Sequence, residues 1–127
     1  MFEPVAAFSG ISVDDLAKAK DFYGKVLGLS VEQTEQGLQV KLPNGGTMFV
    51  YAKPNHEPAS FTVLNFVVED IDQAVDELEK RGVTFEVYDG MGQDEKHIAR
   101  GLSHDMGPDI AWFTDPAKNI LAVLQSK

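Results

Sequence analysis

The chain contains no cysteine. It therefore cannot form a disulfide framework, a thiolate nucleophile or a cysteine-ligated zinc site, which excludes several enzyme classes at once. It also lacks a long apolar run: no stretch approaches the ~20 residues of a membrane helix, and the first ten residues do not resemble a leader peptide. We therefore expect a cytoplasmic protein with no membrane partner.

Basic residues are few, with 11 lysines and arginines against 20 acidic residues and a formal net charge of -9. Such a charge repels phosphate backbones and anionic lipid surfaces, so nucleic acid is not an expected partner. A solvated acidic surface that keeps the protein soluble explains the charge. Recognised nucleophile and phosphate-binding motifs are missing as well, and we expect no serine or threonine near an obvious base.

What is present indicates one globular α+β domain, because 127 residues with 43% hydrophobic side chains suffice for a single core. Hydrophobic residues at helical spacing predict two helices. The first covers 15–27 and ends before Gly28. The second covers 70–81 and begins at Asp70, which forms a capping box with Gln73.

Short apolar or alternating segments predict eight strands, at 5–13, 29–34, 38–42 and 47–52 and then at 62–68, 83–88, 110–114 and 119–125. The order of elements repeats, so the sequence predicts two βαβββ modules. Module one covers about 1–53, a linker about 53–60 and module two about 61–127. The linker is rich in proline and polar residues, and we expect His56 within it to be exposed.

Three motifs resemble those of the vicinal oxygen chelate superfamily of glyoxalases, bleomycin-binding proteins and extradiol dioxygenases. They are ISVDDL at 11–16, FYGKVLGL at 22–29 and FTDPAKN at 113–119. The resemblance covers nearly the whole chain. It implies that the two modules form a curved, mixed eight-stranded sheet around a cleft, with the helices outside.

Metal-dependent members of that superfamily place a His, Gln or Glu on each of four cleft-lining strands. The same spacing from the helix caps and from the Asp-Pro turn leads here to Phe8, Phe49, Val63 and Ala122. None of these side chains has a lone pair for a divalent cation, and a shift of one residue brings in no better ligand. The resemblance therefore implies a cleft without the metal site, and we predict no cofactor.

Strand alternation predicts which side chains line the cleft. They are mostly apolar or aromatic with a few polar groups, as in small-molecule sites. The predicted cleft residues are Phe8, Ser12, Phe49, Tyr51, Val63, Asn65, Trp112 and Ala122. In the alternative interpretation these residues fill an ordinary core. Asn65 favours a cleft, because a buried amide needs a hydrogen-bond partner.

The stretch 89–108 is long for a loop, and such loops often act as lids. Its two histidines are seven residues apart, which does not match the spacing of a known zinc motif. His104 and Asp105 are the candidate catalytic pair, since histidine titrates near neutral pH and a loop can close over a cleft. The alternative is that these residues are simply solvated.

These features predict a metal-independent protein, similar to the bleomycin-resistance type, that binds a small apolar or aromatic molecule in its cleft. Two alternatives stay open. One is a metal-dependent or His-assisted lyase, isomerase or dioxygenase, and the other is a regulatory or structural module without catalysis. Many similar proteins pair two chains, so the resemblance also implies a homodimer.

Overall fold

The computed structural model describes residues 1–127 as two compact units. Unit 1 is Met1–Glu57 and unit 2 is Pro58–Lys127, so the division falls inside the predicted linker. Each unit contains a four-stranded mixed sheet and a helix. The predicted α+β class and its two βαβββ repeats are confirmed.

Unit 1 contains β1 Ser9–Val13, α1 Leu16–Asp21, a π-helical turn Phe22–Val26, β2 Val31–Gln33, β3 Leu38–Lys41, a 3-10 turn Pro43–Gly45 and β4 Thr47–Ala52. The strand order is β1-β4-β3-β2. β1 and β4 run parallel, whereas β3 is antiparallel to both β4 and β2.

The helix of unit 1 starts where the sequence predicts. The carboxylate of Asp15 accepts a hydrogen bond from the Lys18 backbone N–H at 3.1 Å and so caps α1. The predicted helix 15–27 is not a single α-helix, since its second half widens into the π-helical turn. Tyr23 in that turn is fully buried, and the widened turn therefore still faces the core.

The core of unit 1 lies between the helix and one face of the sheet. Its buried side chains, each at most 1% exposed, are Val13, Ala19, Tyr23, Leu38, Val40, Met48 and Val50. Alternate residues of β3 and β4 supply this core, which places their other residues on the opposite face.

Unit 2 contains β5 Thr62–Val67, α2 Ile71–Lys80, β6 Ala99–Arg100, a 3-10 turn Leu102–His104, β7 Asp109–Thr114 and β8 Ile120–Gln125. The strand order is β5-β8-β7-β6, with β5 parallel to β8. Asp70 caps α2 by accepting a hydrogen bond from the Gln73 backbone N–H at 3.1 Å.

The segment 83–88, predicted as a strand, forms only a single bridge, made by Phe85 with β7. Hydrogen bonds to the Gln93 side chain take the place of some of the hydrogen bonds that a neighbouring strand would make. The Gln93 amide accepts a hydrogen bond from the Tyr88 N–H at 2.8 Å and donates one to the Glu86 carbonyl at 2.8 Å. The corresponding strand of the repeat is instead the two-residue β6, inside the stretch predicted to be irregular.

Neither helix is both long and apolar enough to cross a membrane.

Candidate functional site

The face of the unit 1 sheet opposite the core carries four of the predicted cleft residues. Gly10 of β1 lies beside Phe49 of β4, and Ser12 lies beside Tyr51. Phe8 immediately precedes β1 and lines a pocket together with Phe49. The structure therefore brings Phe8, Ser12, Phe49 and Tyr51 to one face.

The aromatic side chains of this face remain accessible. The rings of Phe49 and Tyr51 stack with 5.9 Å between centroids and 19° between planes. Phe8 is 70% exposed and Tyr51 is 39% exposed. Each Å² of apolar surface removed from water contributes roughly 25 cal/mol, so contact with an apolar ligand would be favourable here. We call Phe8, Phe49 and Tyr51 the aromatic strip.

A pocket of about 320 Å³ lies at one end of the aromatic strip. It is lined by Phe8, Thr34, Gln36, Gln39, Thr47 and Phe49. Sequence reasoning missed the four polar members. Gln39 could have been found, because the alternation that buries Leu38 and Val40 assigns Gln39 to the opposite face. Thr34 and Gln36 belong to a hairpin connection, which has no comparable periodicity.

The tip of the β2–β3 hairpin, residues 34–37, forms one wall of the pocket. The Thr34 N–H donates to the Gly37 carbonyl at 2.7 Å, and the Thr34 hydroxyl accepts from the Gln36 N–H at 3.2 Å. A side chain at position 37 would collide with the Val50 carbonyl oxygen and would place a carbon 3.1 Å from the Phe49 ring. Glycine therefore lets the hairpin tip approach β4 and the ring.

Ser12 lies beside Tyr51 and has a partner that the sequence did not reveal. Its Oγ lies 2.6 Å from His56 Nδ1. The chain returns after β4 because the Lys53 N–H donates to the Val13 carbonyl at 2.8 Å and the His56 N–H donates to the Lys53 carbonyl at 3.0 Å. The prediction of an exposed His56 is wrong, since it is half-buried. The expectation that no serine lies near a base is also wrong.

The matching face of unit 2 is partly closed. Asn65 of β5 lies beside Ala122 of β8, which lies beside Trp112 of β7. Ala122 is fully buried, and the 8% exposed Trp112 packs edge-on against Tyr88 with 5.5 Å between centroids. Val63 falls at a register shift near the start of β5 and has no paired neighbour. The face is open along β5, where Asn65 is exposed.

The candidate catalytic residues of unit 2 lie on an exposed turn. His104 ends the 3-10 turn, and Asp105 adopts a left-handed conformation with φ of 58°. No hydrogen bond or ion pair joins the two side chains. The structure therefore does not make them a catalytic pair by contact, and their role stays a prediction.

An ion network fastens much of the stretch 89–108 to the first turn of α2. Arg100 donates to both carboxylate oxygens of Asp72, at 3.0 and 2.7 Å, and to Asp94 at 2.8 Å. Lys96 lies 3.2 Å from Asp72. The hydrogen bond from Arg100 is the main cause that lowers the pKa of Asp72 to about 2, and the same bond raises the pKa of Arg100. We call these four residues the Arg100 network.

The residues that the resemblance assigns to the superfamily's four metal positions do not fit a metal ion. Phe8 and Phe49 in unit 1, and Val63 and Ala122 in unit 2, have hydrocarbon side chains. Divalent cations need nitrogen, oxygen or sulfur donors in number and geometry. Elsewhere, no group of three His, Asp or Glu side chains is placed to hold one. The four side chains can therefore contact a ligand only through apolar surface.

Solved structures share this fold along nearly the whole chain. The glyoxalase/bleomycin resistance protein/dioxygenase of Alicyclobacillus acidocaldarius is 19% identical, with a TM-score of 0.70 over 98% of this chain and 94% of that one. TnmS3, an antibiotic binding protein from Streptomyces sp. CB03234, is 24% identical, with a TM-score of 0.66 over 99% and 100%. A glyoxalase family protein from Bacillus anthracis is 19% identical, with a TM-score of 0.68 over 100% of both chains.

At these identities the structural likeness establishes the fold alone. No curated protein resembles the chain closely enough to count as a match. The family is established by a family model that matches residues 5–123. The resemblance that the three motifs predicted is confirmed: the chain belongs to the Glyoxalase/Bleomycin resistance protein/Dioxygenase superfamily.

Proposed function

We propose that the protein binds a small, flat apolar or aromatic molecule on the aromatic strip of unit 1, without a metal ion. The observation that carries the proposal is the accessibility of Phe8 and Tyr51 on a sheet face that also holds a pocket. Rings that serve only to fill a core are buried, as Tyr23 and Phe113 are in this protein. Exposed aromatic rings beside a pocket instead suit contact with a ligand.

The metal-independent part of the proposal follows from the donor set. An ion could not anchor the ligand at hydrocarbon side chains, so affinity would come from ring contacts and shape. Aromatic pairs contribute about 0.5–1.5 kcal/mol beyond the area that they bury. Two or three such contacts would support binding, which is all that a protein that sequesters its ligand requires.

A binding role agrees with the description of the fold neighbour TnmS3 as an antibiotic binding protein. That description concerns TnmS3, and it assigns no ligand to this chain. We also propose a cytoplasmic homodimer, and native mass measurement would test the pairing of chains.

The proposal is tested with N-phenyl-1-naphthylamine, an uncharged aromatic probe whose fluorescence rises on binding. Phe8→Ala should weaken binding at least fivefold, because it removes about 1 kcal/mol of ring contact. Phe61→Ala is the matched control. Phe61 is 67% exposed, close to the 70% of Phe8, but it does not line the pocket. Its replacement should leave the affinity unchanged.

Equal affinities of wild type and Phe8→Ala would count against the aromatic strip as the site. A separate measurement tests whether binding is independent of a metal ion. Affinity measured with EDTA, and again with added Zn²⁺ or Ni²⁺, should stay within twofold of the untreated protein. A large loss of affinity with EDTA, reversed by added metal, would contradict metal-independent binding.

The contact between Ser12 and His56 favours a second candidate function, an acid–base enzyme of the lyase or isomerase type. In that function His56 would accept a proton from the ligand through the Ser12 hydroxyl. The test is mass spectrometry of a small-metabolite extract incubated with wild type or with His56→Gln. A compound consumed by wild type alone supports the enzyme, and unchanged extracts with both proteins support binding without catalysis.

A further inference from the structure

We infer that the pocket of unit 1 selects an uncharged heteroaromatic ligand with an amide-like edge, which Gln36 and Gln39 recognise. By an amide-like edge we mean a hydrogen-bond donor beside an acceptor, as in a lactam or imide ring. The inference rests on the proposed function, because the same pocket must hold the aromatic ring.

The wall of the pocket contains no charged residue. The six lining residues are two phenylalanines, two threonines and two glutamines. Along the hairpin, the nearest charged positions are Glu35 in the hairpin tip, Glu32, which pairs with Gln39 from β2, and Lys41, which follows Gln39 by two residues on β3. All three are exposed, and none of them lines the pocket. A charged ligand would therefore lose hydration in the pocket without gaining a counter-charge there.

The polar side chains of the pocket differ in whether they already form hydrogen bonds within the protein. The Thr34 hydroxyl donates to the Gly37 carbonyl at 3.3 Å and accepts from the Gln36 N–H, so its role is to hold the hairpin tip. The side-chain amides of Gln36 and Gln39 make no hydrogen bond within the protein. Each amide offers one acceptor oxygen and two donor hydrogens in a plane. That pattern is complementary to a ring edge with a donor beside an acceptor.

Gln36 and Gln39 line the same pocket as the Phe49 ring. Gln39 on β3 is the register partner of Phe49 on β4, so its side chain stands next to the ring on the same face. Gln36 comes from the hairpin tip, whose Gly37 lies against that ring. A ligand stacked on Phe49 would therefore direct its edge towards the two amides. The pocket volume of about 320 Å³ is near the lower end of small-molecule sites, roughly 300–1,000 Å³, and suits about two fused rings.

The test uses three bicyclic probes of similar size, measured by displacement of N-phenyl-1-naphthylamine. Naphthalene has no polar edge, isoquinolin-1(2H)-one has an amide edge, and 1-naphthoate carries a negative charge. Wild type should bind isoquinolin-1(2H)-one about tenfold or more tightly than naphthalene, with 1-naphthoate the weakest. Gln39→Leu and Gln36→Leu should each weaken isoquinolin-1(2H)-one about five- to tenfold, the loss expected for one hydrogen bond, and leave naphthalene unchanged.

Gln73→Leu is the matched control, because Gln73 is an exposed residue of α2 in unit 2, and it should change no affinity. Equal binding of naphthalene and isoquinolin-1(2H)-one would overturn the inference and leave the proposed function standing. Tightest binding of 1-naphthoate, or an equal loss for all three probes in Gln39→Leu, would also overturn it. If neither N-phenyl-1-naphthylamine nor any bicyclic probe bound, the proposed function itself would fail.

Discussion

The two units repeat one arrangement of strands and helix, but they differ on the sheet face opposite the helix. In unit 1 the aromatic strip stays accessible beside a pocket. In unit 2 the corresponding Ala122 is fully buried and Trp112 is covered by Tyr88. The segment that follows the helix differs accordingly. In unit 1 it forms the β2–β3 hairpin, and in unit 2 a longer segment packs on the sheet and is fixed by the Arg100 network.

This comparison shows that one repeat can use the same sheet face in two ways. A side chain that the chain itself buries contributes to the free energy of folding and is no longer available to a ligand. A side chain left accessible, such as Phe8, contributes little to folding and can contribute to binding. The segment after the helix decides between these outcomes. Substitutions in unit 1 should therefore affect binding, and those in the Arg100 network should affect stability.

We expect the largest effect from Gly37→Ala, which would disrupt the pocket of unit 1. The added methyl group would collide with the Val50 carbonyl oxygen and crowd the Phe49 ring. Overpacking of this kind costs about 1–3 kcal/mol of unfolding free energy, and displacement of the ring should weaken N-phenyl-1-naphthylamine at least tenfold.

Urea unfolding and probe titration measure the two consequences of Gly37→Ala. Gly46→Ala is its control, because a methyl group there would meet only the Leu42 side chain at 3.9 Å. If Gly37→Ala behaved like Gly46→Ala, close packing of the hairpin tip would not be needed for the pocket.

A smaller effect is expected from Arg100→Met, which tests unit 2. It leaves Asp72 and Asp94 without their main cationic partner, and we expect a loss of about 1–2 kcal/mol of unfolding free energy. Urea unfolding followed by the fluorescence of Trp112, the only tryptophan, reports on unit 2. The affinity for N-phenyl-1-naphthylamine should stay within twofold.

Arg81→Met is the control for Arg100→Met. Arg81 contacts Glu77 at 3.1 Å, but their side chains are 41% and 51% exposed, so this pair should contribute less than about 0.5 kcal/mol. Equal destabilisation by the two variants would mean that the Arg100 network is no more than a set of ordinary surface pairs.

We expect the smallest effect in acid, where protonation of Asp72 lowers the free energy of unfolding. The pKa of Asp72 is about 2 in the folded protein and 3.8 in its ordinary state, chiefly because Arg100 hydrogen-bonds its carboxylate. A lowered pKa stabilises the fold above about pH 4, and this stabilisation is lost as the pH falls towards 2. Because the Asp72 side chain is 48% exposed, solvent screening limits the contribution to less than about 1 kcal/mol.

Urea unfolding at a series of pH values from 5 to 2.5 measures this contribution. Wild type should lose more unfolding free energy over that range than Arg100→Met, which lacks the contact. If the unfolding free energies of the two proteins fell in parallel, the contact between Asp72 and Arg100 would not be a source of the pH dependence.

The sequence predicted most of the fold because the buried residues recur at the regular spacing of a helix or a strand. Asp15 and Asp70 start the helices as expected, and the predicted strand 47–52 agrees with Thr47–Ala52. The segment 83–88 was predicted wrongly, since its apolar composition resembles a strand while its backbone is partly satisfied by the Gln93 side chain. No local sequence pattern indicates that a side-chain amide will take the place of hydrogen bonds between strands.

The candidate site was predictable in part. Strand alternation placed Phe49 and Tyr51 on one face, and the register agrees. The bond between Ser12 and His56 could not be predicted, because 44 residues separate them and only the turn after β4 brings them together. The hairpin wall was missed for a similar reason, since Gln36 lies outside any strand.

The hairpin tip is the part of the proposed binding pocket whose sequence can change most freely. Thr34 and Gly37 hold its shape, whereas Gln36 between them is exposed and belongs to no strand. Most surface substitutions cost little folding free energy, so this position can vary while the core stays intact. On the proposed function, we therefore expect a small mutant library at Glu35 and Gln36 to yield variants with altered selectivity among the bicyclic probes.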